Sequence, residues 1–168
     1  MSAKKQHNDS ALKIKWALMC KSASVDRQSN NVSLFSVIEE LTLNKTPAGN
    51  LQVGQSNVKR PSSFPNKTQV KGEFTIVVQL ERQPTVKAPG FKPSLRIQIV
   101  DPKEEVLATN VLPLNFEEGK NRLRAIVSFD LIIVKDPGIY NFAVSVRASD
   151  KDEFGAETRV PVEVKIFE

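Results

Sequence analysis

Five segments of the chain share one constraint, an apolar side chain at every second position. Phe74, Ile76, Val78 and Leu80 alternate with Thr75, Val77, Gln79 and Glu81. Leu95, Ile97 and Ile99 alternate with Arg96 and Gln98. Leu123 to Ile133, Tyr140 to Val146 and Val160 to Ile166 repeat the pattern. A two-residue period places one parity on one face of an extended strand, whereas a helix needs apolar positions three and four apart. Turn-forming runs separate the segments: Asp101-Pro102, Glu117 to Asn121, Asp136-Pro137-Gly138 and Ser149 to Gly155. Strands at such spacing predict an all-β fold, an antiparallel β-sandwich of about eight strands, immunoglobulin-like or C2-like.

The N-terminal part reads less simply. Residues 1–11 are polar and aperiodic, a disordered tail ahead of one sandwich domain over 12–168. Leu12 to Cys20 alternates again, with Leu12, Ile14, Trp16, Leu18 and Cys20 on the expected inward face and Lys13 and Lys15 outward. Ser22 to Asn31 is turn-like. Val32 to Leu43 is apolar on both parities, which predicts a strand buried on both faces or bulged near Glu39 and Glu40. Leu34, Ile38 and Leu41 also fit a helical stripe. Residues 44–70 break the periodicity with Pro47, Pro61 and Pro65 and read as a long loop insertion that re-enters at Phe64-Pro65. Pro113 marks the end or exposed edge of a strand over Val106 to Leu114, and Pro161 marks the last strand as an edge.

Composition narrows the chemistry. The 168 residues include one cysteine, Cys20, so there is neither an internal disulfide nor a cysteine zinc site. The one histidine, His7, lies in the tail, so a Ser-His-Asp or Cys-His arrangement would have to recruit that tail. Cys20 adjoins Lys21, but neighbours on a strand point to opposite faces, so the thiol reads as a small buried hydrophobe. Asp150, Asp152 and Glu153 cluster in one turn and Asp101, Glu104 and Glu105 in another. Lys151 and Lys103 interrupt them, and both read as solvated turns rather than calcium loops. Glycine-rich phosphate cradles are absent. No catalytic residue, cofactor or metal is therefore expected. No apolar run is long enough for a transmembrane helix, and the N-terminus lacks a signal-peptide core, so a cytoplasmic protein is expected.

Charge is uneven. Residues 1–71 carry 11 Lys and Arg against 4 Asp and Glu, a net of +7, and residues 72–168 carry 13 against 15, a net of −2. Lys13, Lys15 and Lys21, extended by Lys59, Arg60, Lys67 and Lys71, form the candidate partner or anion surface. Phe64 is the only aromatic residue of the long loop, which gives base stacking little support. The leading expectation is a non-enzymatic protein-interaction or structural module with a protein partner. The alternative is an electrostatic binder of nucleic acid or another anionic surface.

Short motifs carry a resemblance over most of residues 14–148. They are Ala17-Leu18-Met19-Cys20, Ser22, Val25-Asp26, Asn31 to Ile38, Phe64-Pro65, Asp101-Pro102 and Pro137 to Phe142. The chain resembles a family of small bacterial and phage-associated proteins known only as a domain of unknown function, and residues 44–60 depart from its compact pattern. The resemblance implies a β-sandwich in a bacterial or phage setting, and no activity, ligand or catalytic residue. If Trp16 is a core residue, Trp16→Ala costs about 3–5 kcal/mol in chemical denaturation, while Cys20→Ser leaves any activity intact.

Overall fold

A computed structural model describes residues 11–26, 31–45, 51–53, 68–83, 91–117 and 119–167. They form ten strands: β1 (Leu12–Val25), β2 (Val32–Val37), β3 (Glu40–Lys45), β4 (Leu51–Val53), β5 (Thr68–Arg82), β6 (Ser94–Val100), β7 (Val106–Pro113), β8 (Arg122–Val134), β9 (Gly138–Arg147) and β10 (Thr158–Phe167). None of the described residues is helical, which removes the helical alternative at Leu34 to Leu43.

The strands pack as two layers. One runs β8-β5-β1-β2 and the other β3-β10-β9-β6-β7, with β4 bridging β3 and β5. All pairings are antiparallel except β10 with β3 and β4 with β5. β1, β5 and β8 stand where strands A, B and E of an immunoglobulin-type sandwich stand, and β6, β9 and β10 stand as C, F and G. The alternating segments supply the core as expected. Phe74, Ile76, Val78 and Leu80 face Leu95, Ile97, Tyr140, Phe142, Val144, Val160, Val162 and Ile166 in one buried cluster.

Four expectations need correction. First, β1 does not keep one inward parity. Its register against β5 slips between Ile14 and Trp16, so Lys15 is a bulged residue. One extra residue exchanges the faces of everything after it. Leu12 and Ile14 point inward before the bulge and Ala17 and Met19 after it, while Trp16, Leu18 and Cys20 turn outward. Second, Val32 to Leu43 is two strands. β2 pairs with β1 and β3 with β10, and the chain changes layer at Ile38 and Glu39. Third, the break after β3 is shorter than 44–70, because β4 pairs within it; residues 54–67 lie outside the described residues, as do residues 1–10 of the tail. Fourth, β10 lies between β9 and β3. Pro161 is tolerated because β3 joins only from Glu163 onward, so β10 is locally an edge there.

One corner holds the crossing from β8 to β9. The Tyr140 hydroxyl accepts hydrogen bonds from the Lys135 and Asp136 amides at 2.8 and 3.0 Å and donates to the Asp136 carbonyl at 2.8 Å. Gly138, at φ 141°, completes the turn, and a Cβ there would lie 2.8 Å from Pro102 Cγ. This is the tyrosine corner of immunoglobulin-type sandwiches, made by one buried hydroxyl satisfying three main-chain groups. Tyr140→Phe leaves those groups unpaired and is expected to cost about 1–3 kcal/mol in urea denaturation. On the same measurement Met19→Ala costs about 2–5 kcal/mol, and half-buried Trp16→Ala costs less than Met19→Ala, reversing the order expected from alternation alone.

Candidate functional site

The bulge at Lys15 gives the β8-β5-β1-β2 layer its outer face. Rows of side chains follow the register across β1, β5 and β8. Lys13, Glu81 and Arg122 form the first row, and Trp16, Gln79 and Arg124 the second. Leu18, Val77 and Ile126 form the third, and Cys20, Thr75 and Ser128 the fourth, which Val37 of β2 extends. Phe35 stands beyond Val37 on the same face, opposite Ser22. The face is cationic at one end and apolar through its middle.

The apolar part is open. Leu18, Phe35, Val37 and Ile126 are exposed at 39, 53, 49 and 41 %, whereas Val77, between Leu18 and Ile126 in register, is fully buried. Grouped exposed side chains of this size mark interaction surfaces, unlike apolar residues scattered singly. Ser36, between Phe35 and Val37, has φ 52°, an uncommon backbone for a residue with a Cβ. The other layer exposes Val111 and Ile139 on its outer face and covers another part of it. There Phe154 lies against the sheet, with the Arg96 and Arg147 guanidinium carbons 4.4 and 4.9 Å from its ring centroid.

The cationic end is organised around one carboxylate. Lys15 Nζ is 2.9 Å and Arg122 Nε 3.4 Å from the Glu81 carboxylate, and Arg124 Nε donates to Gln79 Oε1 at 2.9 Å. Hydrogen bonding from Lys15, then its charge, with Arg122 adding to both, holds Glu81 below its ordinary value. The buried Cys20 thiol lies 3.6 Å from the Thr75 carbonyl, and loss of water pushes its titration up. Thr75 itself is held by the Lys21 carbonyl at 3.3 Å and the Ser128 hydroxyl at 3.2 Å. Cys20 is thus packing, not a poised nucleophile.

Of the seven expected surface cations, the four that are described do not form one patch. Lys13 and Lys15 sit at the Glu81 end of β1. Lys21 lies past the opposite end of its pairing with β5, and Lys71 pairs opposite Leu131, beyond a second bulge in β5. Lys59, Arg60 and Lys67 lie outside the described residues. Sequence reasoning missed Arg122 and Arg124, which only the β5–β8 register brings beside Lys13 and Lys15. It also placed Trp16 and Leu18 inward; the available signal was the second apolar parity, Ala17 and Met19.

The acidic turns are tied down by the protein itself. Asp101 is 1 % exposed, not solvated, and its Oδ1 accepts from the Lys103 and Glu105 amides at 2.9 and 2.7 Å. Glu104 pairs with Arg159 at 2.8 Å, Glu105 with Lys135 at 3.0 Å and Asp150 with Arg147 at 2.8 Å. Among the described residues no three His, Cys, Asp or Glu side chains group as metal ligands, and no helix is long and apolar enough to cross a membrane.

No protein-family model matches the chain, and no curated protein matches it by sequence.

Two measurements check this geometry. The native Cys20 thiol is expected to resist a thiol-labelling reagent at neutral pH and to react once urea unfolds the chain. Glu81 is expected to titrate below the usual glutamate value of about 4.3. A carboxyl depressed by folding stabilises the native state above its unfolded value, and that contribution is lost as pH falls through its native value. An NMR titration of the Glu81 carboxyl, repeated in Lys15→Ala, reads the shift and its loss.

Proposed function

We propose that this sandwich is a non-enzymatic protein-interaction module whose docking surface is the outer face of β8-β5-β1-β2. The observation that carries the reading is the four-residue apolar group, Leu18, Phe35, Val37 and Ile126, bordered on one side by Lys13, Lys15, Arg122 and Arg124. The Glu81 carboxylate lies beside Lys15 and Arg122. Such a face favours a polypeptide that presents apolar side chains with acidic residues at one end. Burying the apolar group supplies affinity, and the cationic row orients the partner and speeds encounter.

The electrostatic alternative draws on the same row, Lys13 and Lys15, and treats the apolar group as incidental. An anionic polymer would engage the cations and leave Leu18 and Ile126 in water. The expected bacterial cytoplasmic setting belongs to the same proposal and adds no residue to it.

The two readings separate in one comparison. Tagged wild-type protein and the Leu18→Glu/Ile126→Glu variant are used for capture from lysate, with nuclease and with low- and high-salt washes. Both positions are exposed, so circular dichroism is expected to show an unchanged fold. A stoichiometric protein retained by wild type through nuclease and high salt, and reduced by about tenfold or more on the variant, supports the docking face. Equal retention by both overturns it. Nucleic acid recovered only at low salt, and lost in Lys13→Glu/Arg122→Glu, supports the electrostatic alternative instead.

A further inference from the structure

The two layers are not closed along one side. β8 ends one layer and β7 ends the other, and no described strand pairs with the far edge of either. An apolar cleft runs between these edges in two sections. The larger, about 420 Å³, lies between Leu95 and Leu112 on one wall and Leu123 and Val127 on the other. The smaller, about 160 Å³, continues between Ile99 and Ala108 and, opposite them, Phe129 and Leu131. Leu112, Leu123 and Phe129 are turned toward the core yet only partly buried, so the core itself is left half-covered here.

The two edges differ. β7 carries three features that discourage pairing: an irregular register against Ile99 and Val100, an exposed Asn110 lining the cleft, and Pro113 at its end. β8 runs from Arg122 to Val134 without proline, and its register against β5 is continuous from Arg122 to Phe129. The one irregularity in the pairing of β8, between Phe129 and Leu131, places its extra residue on β5 and not on the open edge.

We propose that this cleft binds an extended polypeptide segment of a partner, which adds as a strand to the free edge of β8 and lowers alternate apolar side chains between the layers. The β8 edge selects this occupant. A strand's outer edge presents main-chain N–H and C=O groups at β spacing, which only another extended main chain can pair in register. An acyl chain would cover the apolar walls and leave the edge unpaired. A helix satisfies its own main chain and is about 10–12 Å wide. From Leu123 to Ile133 the edge spans roughly 33 Å, which calls for a segment of about ten residues. Asn110 adds one side-chain amide on the opposite wall. The groove adjoins the outer face of the same layer at Arg124 and Ile126, which line its larger section, and the inference rests on the β8 edge and the inward walls, whether or not that face docks a partner.

The test uses the full chain, labelled with ¹⁵N, and a displayed pool of peptides about ten residues long. In the pool alternate positions are varied among Val, Ile, Leu and Phe, and the intervening ones are Thr or Lys. A selected peptide is expected to slow hydrogen exchange at every second amide of β8 between Leu123 and Ile133, and to leave β2 unchanged. N-methylation of the peptide amides that face β8 is expected to weaken binding by about tenfold or more. Leu131→Lys, at an exposed cleft position, is expected to do the same while the spectrum elsewhere stays native. The proposal is overturned by a pool that yields no peptide protecting β8, or by N-methylated peptides that bind as well as their parents. Decanoate filling the cleft where no peptide binds overturns it too, as does a peptide-free protein that dimerises through β8.

Discussion

The sandwich is organised around β5, in which no side chain from Phe74 to Leu80 is exposed. Only one of its faces meets the other layer. Its inward residues, Phe74, Ile76, Val78 and Leu80, are buried by opposing strands. Its outward residues, Thr75, Val77 and Gln79, are buried by their neighbours on β1 and β8. That second kind of burial is shallow. The side chains that flank Val77 themselves stand partly in water, as Leu18 and Ile126 do. A central strand that is buried on both faces in a two-layer fold transfers its exposure cost to the flanking strands.

Much of the fold follows from local pattern. β5, β6, β9 and β10 each have one core face, so their two-residue period points the right way, and Tyr140, Phe142, Val144 and Val146 are buried as the alternation requires. β1 misleads because its alternation passes through Lys15 without a break, while the main chain spends an extra residue there. A bulge leaves no mark in a hydropathy pattern when both parities after it are apolar, as Trp16 and Leu18, and Ala17 and Met19, are. β2 and β3 run together in the sequence because a change of layer needs only the short break at Ile38 and Glu39, and no proline or glycine marks it.

The candidate sites were less legible, for a different reason. They are built from residues distant in sequence that share a row or an edge. Lys13 and Lys15 were visible as a basic pair, but Arg122 and Arg124 join them only through the β5–β8 register. The cleft depends on sheet order alone, since nothing in the sequence of β8 says that its far edge is unpaired. Asp101 shows the converse. Its acidic neighbours suggested a solvated turn, while the chain uses its buried carboxylate to hold the Lys103 and Glu105 amides.

The contrast between the two layers bears on why these surfaces are open. On the β9–β6 face the chain invests Phe154, flanked by Arg96 and Arg147, as a cover, and on the β7 edge it invests a bulge, Asn110 and Pro113. Both are ordinary means of keeping a sheet from unwanted association. Among the described residues the β8-β5-β1-β2 layer has no aromatic cover over Leu18 and Ile126, and β8 itself contains neither a proline nor an extra residue. A sequence able to protect one layer is under no physical obstacle to protecting the other. Open apolar area and an open edge carry a solubility cost; Val106, Val111 and Ile139 are exposed on the other layer too, but on the β8-β5-β1-β2 layer an apolar group in register and an edge strand without proline occur together. That combination is the pattern expected where a layer is kept available for contact with another chain.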